Sequence, residues 1–235
     1  MNPAALLFAC TDALRKECVP LSDLPITLIS VRRSHGRATL TLSTGEVLVM
    51  PRAMLKERPY RGGMPFDADS FHAFMASRAY PFALEKAAAL LALRSRTKRE
   101  LRDALRLSAY PEEAIERVLA RMEEAGYLDD ADFAGHWATS RSTKGMGARR
   151  IRMELHHKGV DRDTIEAALS SLDEQAQFDG ALKAARKASN GKDPSNPRDR
   201  QKVIAALLRR GYDYDTARRA LAALQEEAGL CPSGR

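Results

Sequence analysis

Residues 151–160 read IRMELHHKGV. The same arrangement stands 50 residues earlier as LRDALRLSAY (101–110) and 52 residues later as VIAALLRRGY (203–212). In each stretch an aliphatic residue holds the first and fifth places, Gly or Ala the ninth, and Val or Tyr the tenth. A period near 50 residues indicates a tandem array of one small supersecondary unit. Arrays of this kind commonly bind long partners, so we look for function on a surface before a pocket.

Each repeat carries the signals of three helices. A capping-box sequence beginning at Thr97 predicts the start of the second helix in the first copy. Gly159 and Gly211 are predicted to end that helix in the later copies, and Asp161 and Asp213 to begin the third. The first helices are expected at Ala83–Leu93, Asp132–Ser142 and Phe178–Ala188. Three copies give about nine helices, which we expect to stack into an elongated, gently curved body.

A different pattern precedes the repeats. Short β-prone runs at Ile26–Val31, Ala38–Leu42 and Glu46–Met50 are separated by turn residues, which predicts a small antiparallel meander. A short helix is expected at Arg52–Lys56, and a longer one from Asp67 or Asp69 to about residue 78. Pro81 disfavours helical backbone at the residue before it, so a boundary is predicted at 79–81.

The predicted fold class is therefore mainly α, with tandem three-helix repeats after a small β-rich N-terminal subdomain. The predicted divisions are an N-terminal extension at 1–24, the meander with its short helices at 25–80, and repeats at 81–128, 129–172 and 173–235, the last with the tail. A polar loop, GKDPSNP at 191–197, interrupts the third repeat.

Composition narrows the classes of function. The 235 residues are 44% hydrophobic and 29% charged, and three scattered cysteines are typical of a reducing compartment. No apolar run approaches the roughly 20 residues that a membrane span needs, so we expect a cytoplasmic protein, and a monomer. The net charge of +7 favours an acidic partner, commonly nucleic acid.

The positive charge is concentrated at equivalent places in the three repeats. Residues 94–106, 141–158 and 183–210 carry net charges of +4, +5 and +7, so the rest of the chain is acidic. A repeated array would present them as a basic stripe, although ordinary solvated helix faces are the alternative. The candidate contact residues are Arg94, Arg96, Lys98, Arg99, Arg102, Arg141, Lys144, Arg149, Arg150, Arg152, Lys158, Arg198, Arg200, Lys202, Arg209 and Arg210.

Catalytic motifs are absent from the sequence. Phosphate-binding loops, dinucleotide fingerprints, zinc-protease and serine-hydrolase motifs do not occur, so no catalytic, metal or cofactor residue is predicted. Asp129, Asp130 and Asp132 suggest a metal cluster, but helix caps explain them better. Gly145 and Gly147 would let the backbone approach a phosphate; ending a loop before the next helix is an equal alternative.

The second repeat resembles the RecX family of recombinase regulators. The similarity lies in the succession GYLDD (126–130), Phe133-Ala134, Arg141, Gly145, Gly147, Arg150-Ile151, Glu154-Leu155 and Lys158-Gly159-Val160. The first repeat agrees through Ala87, Leu90-Leu91, Arg94, Arg96, Glu100-Leu101 and Leu105, and the third is looser. The resemblance covers about residues 26–226.

The resemblance implies tandem three-helix repeats and a non-catalytic role. RecX-like proteins bind RecA and its filament on single-stranded DNA, which limits filament growth, ATP hydrolysis, recombination and the SOS response; several also bind single- or double-stranded DNA. A basic DNA-binding protein that needs no recombinase is the alternative function. A metal-dependent nuclease that uses Asp129, Asp130 and Asp132 is a more distant third.

Overall fold

The computed structural model describes residues 25–190 and 196–230. The expected extension at 1–24, residues 191–195 of the expected polar loop and all three cysteines lie outside these ranges. Among the described residues, one compact unit comprises the chain to Phe82 together with Leu107–Pro111. The other comprises Ala83–Arg106 and the chain from Glu112 onward.

The predicted meander is confirmed. Strands β1 (Leu28–Arg33), β2 (Arg37–Leu42) and β3 (Val47–Pro51) form an antiparallel sheet in the order β1-β2-β3. Alternate residues of β2 face inward: Ala38, Leu40 and Leu42 have no exposed surface. This period of two is what a sheet with one buried face requires. A 3-10 helix at Arg52–Lys56 follows, as expected.

Nine α-helices lie in the described ranges, in agreement with the predicted three per repeat. They are α1 (Ala68–Leu93), α2 (Lys98–Leu107), α3 (Glu112–Glu124), α4 (Asp130–Thr143), α5 (Ala148–His157), α6 (Arg162–Ser170), α7 (Glu174–Ser189), α8 (Pro197–Arg209) and α9 (Tyr214–Leu230). None of these helices is long and apolar enough to cross a membrane.

The boundary predicted at 79–81 is wrong for the helix. Helix α1 runs through Pro81 without ending, and so begins 15 residues before the expected Ala83. The reason is a buried stripe at four-residue spacing along the helix, formed by Phe71, Met75, Ala79, Ala83 and Ala87, each at most 8% exposed. Burying this stripe outweighs the hydrogen bond that proline removes from a helix.

The repeated apolar positions form the core of each copy. Leu101, Leu105, Ile151, Leu155 and Leu207 have no exposed surface. In the second repeat they pack with small residues of the first helix, Ala134 and Ala138, and the third repeat uses Ala181 and Ala185 in the same way. Small residues at these places let the first helix approach the second closely.

The predicted caps are also confirmed. Gly159 and Gly211 have φ of 83° and 92°, the left-handed backbone that ends a helix, and Gly126 after α3 has φ of 71°. The Asp161 and Asp213 side chains accept hydrogen bonds from the backbone N–H groups of residues 164 and 216, each three positions along. In the first repeat Ala109 holds the glycine position and still adopts φ of 61°.

Candidate functional site

Neighbouring repeats are joined through backbone contacts at one recurring place. The N–H groups of Gly147 and Arg149, at the start of α5, donate to the carbonyl oxygens of Arg210 and Gly211 in the α8–α9 turn, both at 3.0 Å. A Cβ on Gly147 would overlap the Gly211 backbone. Gly147 therefore admits the backbone of the next repeat, and the open N–H groups of α5 are satisfied there.

The joint between the first and second repeats is built in the same place. The buried Thr97 Oγ1, at the start of α2, donates to the Lys158 carbonyl oxygen at 2.6 Å and accepts from the Glu100 N–H at 3.2 Å. The Lys98 N–H donates to Asp130 Oδ1 at 2.8 Å. The start of α2 is thus capped by its own Thr97 and by a carboxylate of the next repeat.

A carboxylate neutralises this first joint. Glu100 is the last residue of the predicted capping box, but its side chain accepts from Arg94 Nη1 at 2.8 Å and from Lys158 Nζ at 2.6 Å. Burial raises the pKa of Glu100, and the hydrogen bonds from Arg94 and Lys158 outweigh that effect, so the pKa lies below its ordinary value. Glu100 therefore remains charged and bridges two cations from different repeats.

Nine of the sixteen candidate cations have an acidic partner, and eight of these nine pairs lie within one repeat. Arg102 binds Glu116, and Arg152 binds Glu166 at the same 14-residue separation, each through two hydrogen bonds. These pairs link the basic second helix to the acidic third. The other candidates with an acidic partner within 4.0 Å are Arg94, Lys98, Arg99, Arg141, Arg150, Lys158 and Lys202.

Seven candidates have no acidic partner among the described residues: Arg96, Lys144, Arg149, Arg198, Arg200, Arg209 and Arg210. Arg96 Nε donates instead to the Leu90 carbonyl oxygen at 3.3 Å. The remaining six form no ion pair with any residue that the structure describes. The continuous stripe expected from charge counting is thus reduced to a smaller set of cations.

Six of the sixteen candidates line three grooves, two in each. One contains Arg94 and Arg96 with aromatic side chains, among them Trp137. The second contains Lys144 and Arg210, and the third contains Arg149 and Arg152 beside the exposed Met153. The other ten candidates line none of these three: Lys98, Arg99, Arg102, Arg141, Arg150, Lys158 and the α8 cations Arg198, Arg200, Lys202 and Arg209.

Two features of these grooves are missing from the predicted contact residues, although Lys183 and Lys187 lie in the basic segment 183–210. Lys183 and Lys187 lie beside Arg210, and their four-residue spacing on α7 was the available signal. Trp137 stacks on Phe133 with ring centroids 5.7 Å apart, and Arg141 and Lys158 lie 4.2 and 4.3 Å from its centroid. This aromatic cluster lies within the second repeat, and the four-residue spacing of Phe133, Trp137 and Arg141 on α4 was the available signal.

The three aspartates have structural partners. Asp129 caps α4 by accepting from the N–H groups of Ala131 and Asp132, and Asp130 caps α2. Asp132 Oδ2 lies 3.2 Å from His136 Nδ1. Within residues 25–190 and 196–230, no group of three His, Cys, Asp or Glu side chains is placed to hold a metal ion.

Comparisons with known proteins agree with this architecture. Family models described as the first, second and third three-helix domains of RecX match residues 83–122, 129–169 and 175–221. A regulatory protein RecX of Mycolicibacterium smegmatis is 37% identical over 134 residues, which are 54% of this chain and 71% of that protein. One from Lacticaseibacillus paracasei is 26% identical over 204 residues, covering 86% and 85%.

Two crystal structures have a similar fold. That of a regulatory protein RecX matches with a TM-score of 0.57 over 82% of this chain and 96% of its own. That of RecX from Lactobacillus salivarius matches with a TM-score of 0.60 over 63% and 98%. Both are 22% identical to this chain, so they support the fold alone.

Proposed function

The chain belongs to the RecX family, and from this we propose that it regulates RecA without catalysis, by binding RecA and its filament on single-stranded DNA. In this proposal it limits filament growth and so modulates ATP hydrolysis, recombination and the SOS response. The observation that carries the proposal is the match of all three RecX domain models, in order, along residues 83–221. The chain thus matches the first, second and third three-helix domain models of the family.

We assign the RecA contact to the second repeat, on the face where α5 meets α6. Its groove of about 830 Å³ is lined by Arg149, Arg152, Arg162 and His156 around an apolar centre. Met153 is 51% exposed there, and Arg149 has no acidic partner among the described residues. An apolar centre with a charged rim is the usual anatomy of a protein interface.

A titration of RecA's ATPase on single-stranded DNA tests the proposal. Substoichiometric protein should slow hydrolysis, because one molecule that stops filament extension affects many RecA subunits. Filament length, measured by electron microscopy, should fall over the same range of concentrations. Unchanged ATPase and filament length with the cognate RecA would refute the proposed regulation.

A basic DNA-binding protein that acts without a recombinase is the second candidate function. The groove that contains Lys144 and Arg210 favours it, because neither cation has an acidic partner among the described residues. Both charges therefore remain to attract phosphate directly. It predicts DNA affinity that survives physiological salt and falls steeply with more salt. Binding that is lost at physiological salt would count against it.

A further inference from the structure

The two joints between repeats have equivalent grooves. Counting from the repeated stretch, Arg94 and Lys158 of the first joint correspond to Lys144 and Arg210 of the second. On the first helices, the fully buried Ala134 and Ala138 correspond to Ala181 and Ala185. The same offset of 47 positions relates residues that line the two grooves. It pairs Asp132 with Asp179, His136 with Lys183 and Ser140 with Lys187.

The second groove lacks the carboxylate that neutralises the first joint. At the place of Glu100 stands Arg150, which binds Glu154 on its own helix at 3.2 Å. Lys144 and Arg210 are thus equivalent to Arg94 and Lys158, but no carboxylate lies at the position equivalent to Glu100 to bridge them. Neither has an acidic partner among the described residues.

The charge in the second groove is strongly unbalanced. We call this groove, lined by Lys144, Lys183, Lys187, Arg210, Gly145 and Gly180 among others, the cationic groove. It holds four cations and one acid, Asp179, which already accepts a hydrogen bond from Gln175 Nε2 at 3.0 Å. No other acidic side chain among the described residues forms an ion pair with these four cations.

The cationic groove is also more open than its counterpart. Gly180 and Ala184 stand at the places of Phe133 and Trp137, and the cavity measures about 530 Å³ against 370 Å³ in the first groove. Backbone of Gly145 and Gly180 lines it, and the Arg210 guanidinium lies close to Gly145. Without the two aromatic rings the groove offers no platform for a base, so its contacts would fall on backbone groups.

An unsatisfied hydroxyl lies behind these glycines. Tyr212 is 3% exposed, and its Oη has no hydrogen-bond partner in the described structure. A Cβ on Gly180 would lie 3.0 Å from that oxygen, and a Cβ on Gly145 3.9 Å from it. This hydroxyl therefore packs against the glycine backbone that forms the groove wall, where a side chain on Gly180 would crowd it.

We propose that the cationic groove binds the phosphate groups of a nucleic-acid backbone, which take the place that the Glu100 carboxylate has in the first joint. A single carboxylate would balance only part of the charge, whereas consecutive phosphates supply one negative charge per nucleotide to several lysines and an arginine. This inference deepens the DNA contact in the proposed function. Its test uses no RecA, so its failure is distinct from a failure of RecA regulation.

The test measures fluorescence anisotropy of a labelled oligothymidylate with the full chain across a range of salt concentrations. The double variant Lys183→Gln/Lys187→Gln should bind about tenfold more weakly, since two charged contacts to phosphate are lost. The slope of log affinity against log salt should fall by about 1.4, at 0.7 for each contact to a single strand. Both lysines are exposed, so the fold should be retained.

A charge-matched control separates the groove from general electrostatics. Arg121→Gln/Arg218→Gln removes the same charge from exposed positions on α3 and α9, outside all three grooves. It should leave affinity within about twofold and the slope nearly unchanged. Equal weakening by both double variants, or by neither, would overturn the proposal.

A third variant supplies the missing anion. Arg150→Glu places a carboxylate where the first joint has Glu100, and should abolish oligothymidylate binding while Arg218→Glu, with the same charge change, does not. Unaltered binding by Arg150→Glu would refute the site. Competition distinguishes the sources of the anion: oligothymidylate should displace the label far better than inorganic phosphate or polyglutamate at equal charge. Displacement by polyglutamate as effective as by DNA would replace phosphate with an acidic protein as the occupant.

Discussion

Thr97 and Lys158 are joined across two repeats by a hydrogen bond of 2.6 Å from the Thr97 hydroxyl to the Lys158 carbonyl oxygen. The equivalent residues Gly147 and Arg210 are joined by a backbone hydrogen bond of 3.0 Å. The equivalent turn of the first repeat contains Ser108, and a Cβ on Gly36, in the β1–β2 turn, would lie 2.8 Å from its hydroxyl oxygen. All three turns between second and third helices are thus covered by an earlier segment of the chain.

Loss of the Thr97 hydroxyl should weaken the first joint. Thr97→Val keeps the shape of this fully buried side chain but leaves the Lys158 carbonyl oxygen and the Glu100 N–H without their partner. We expect the free energy of unfolding to fall by about 1–3 kcal/mol. Denaturant unfolding measures it, with Thr139→Val, whose hydroxyl bonds only within α4, as a control that changes little.

Two glycine-to-alanine substitutions should change the free energy of unfolding in opposite directions. Gly147→Ala forces a methyl group into the Gly211 backbone and should lower the free energy of unfolding by more than about 2 kcal/mol. Gly135→Ala, inside α4 with no atom within 4 Å of its Cβ, should raise it by about 0.5–1 kcal/mol through helix propensity. Thermal unfolding of both variants checks this. A harmless Gly147→Ala would mean that the joint is loosely packed.

Replacing Ala109 with glycine should stabilise the folded protein. It adopts φ of 61°, a conformation that costs an L-residue about 1–2 kcal/mol, whereas glycine adopts it freely. Because glycine also gains entropy in the unfolded chain, we expect Ala109→Gly to raise stability by a net of about 0.5–1 kcal/mol. Gly126→Ala, at φ of 71°, is the reverse experiment and should be destabilising. A lower thermal midpoint for Ala109→Gly would contradict this account.

The Glu100 bridge should make stability depend on pH. Since the folded pKa of Glu100 lies below its ordinary 4.5, the ionised carboxylate stabilises the fold fully above that value. The contribution is lost as pH falls through the lowered pKa. Glu100→Gln should therefore be less stable than wild type at neutral pH, with the difference shrinking in acid. Urea unfolding across pH measures it, and a constant difference would exclude the bridge as its source.

The RecA contact assigned to the second repeat should respond to Arg149. Charge reversal by Arg149→Glu removes an exposed cation that has no acidic partner among the described residues, so the fold should persist in circular dichroism. The protein concentration that half-inhibits RecA's ATPase should rise about tenfold, as expected for an interface arginine. Arg218→Glu should leave it unchanged. Equal potency of the two variants would move the contact elsewhere.

The sequence by itself determined the repeats, because their signals are local. An aliphatic residue every fourth place at Ile151 and Leu155, a glycine at the left-handed position 159 and a capping carboxylate at Asp161 each act within one or two helical turns. The same locality explains the error at Pro81, where a proline rule was applied to a helix whose buried stripe runs past it.

Only the tertiary structure decided which of the basic side chains are left without an ion pair and can contact a partner. Arg102 and Arg152 counted as parts of basic clusters, yet each is bound by a carboxylate 14 residues away on the next helix. Conversely, Lys144 and Arg210 are 66 residues apart and line one groove. Net charge along a chain is a sum over neighbours in sequence, whereas ion pairing depends on distances of a few ångströms between side chains that the fold brings together.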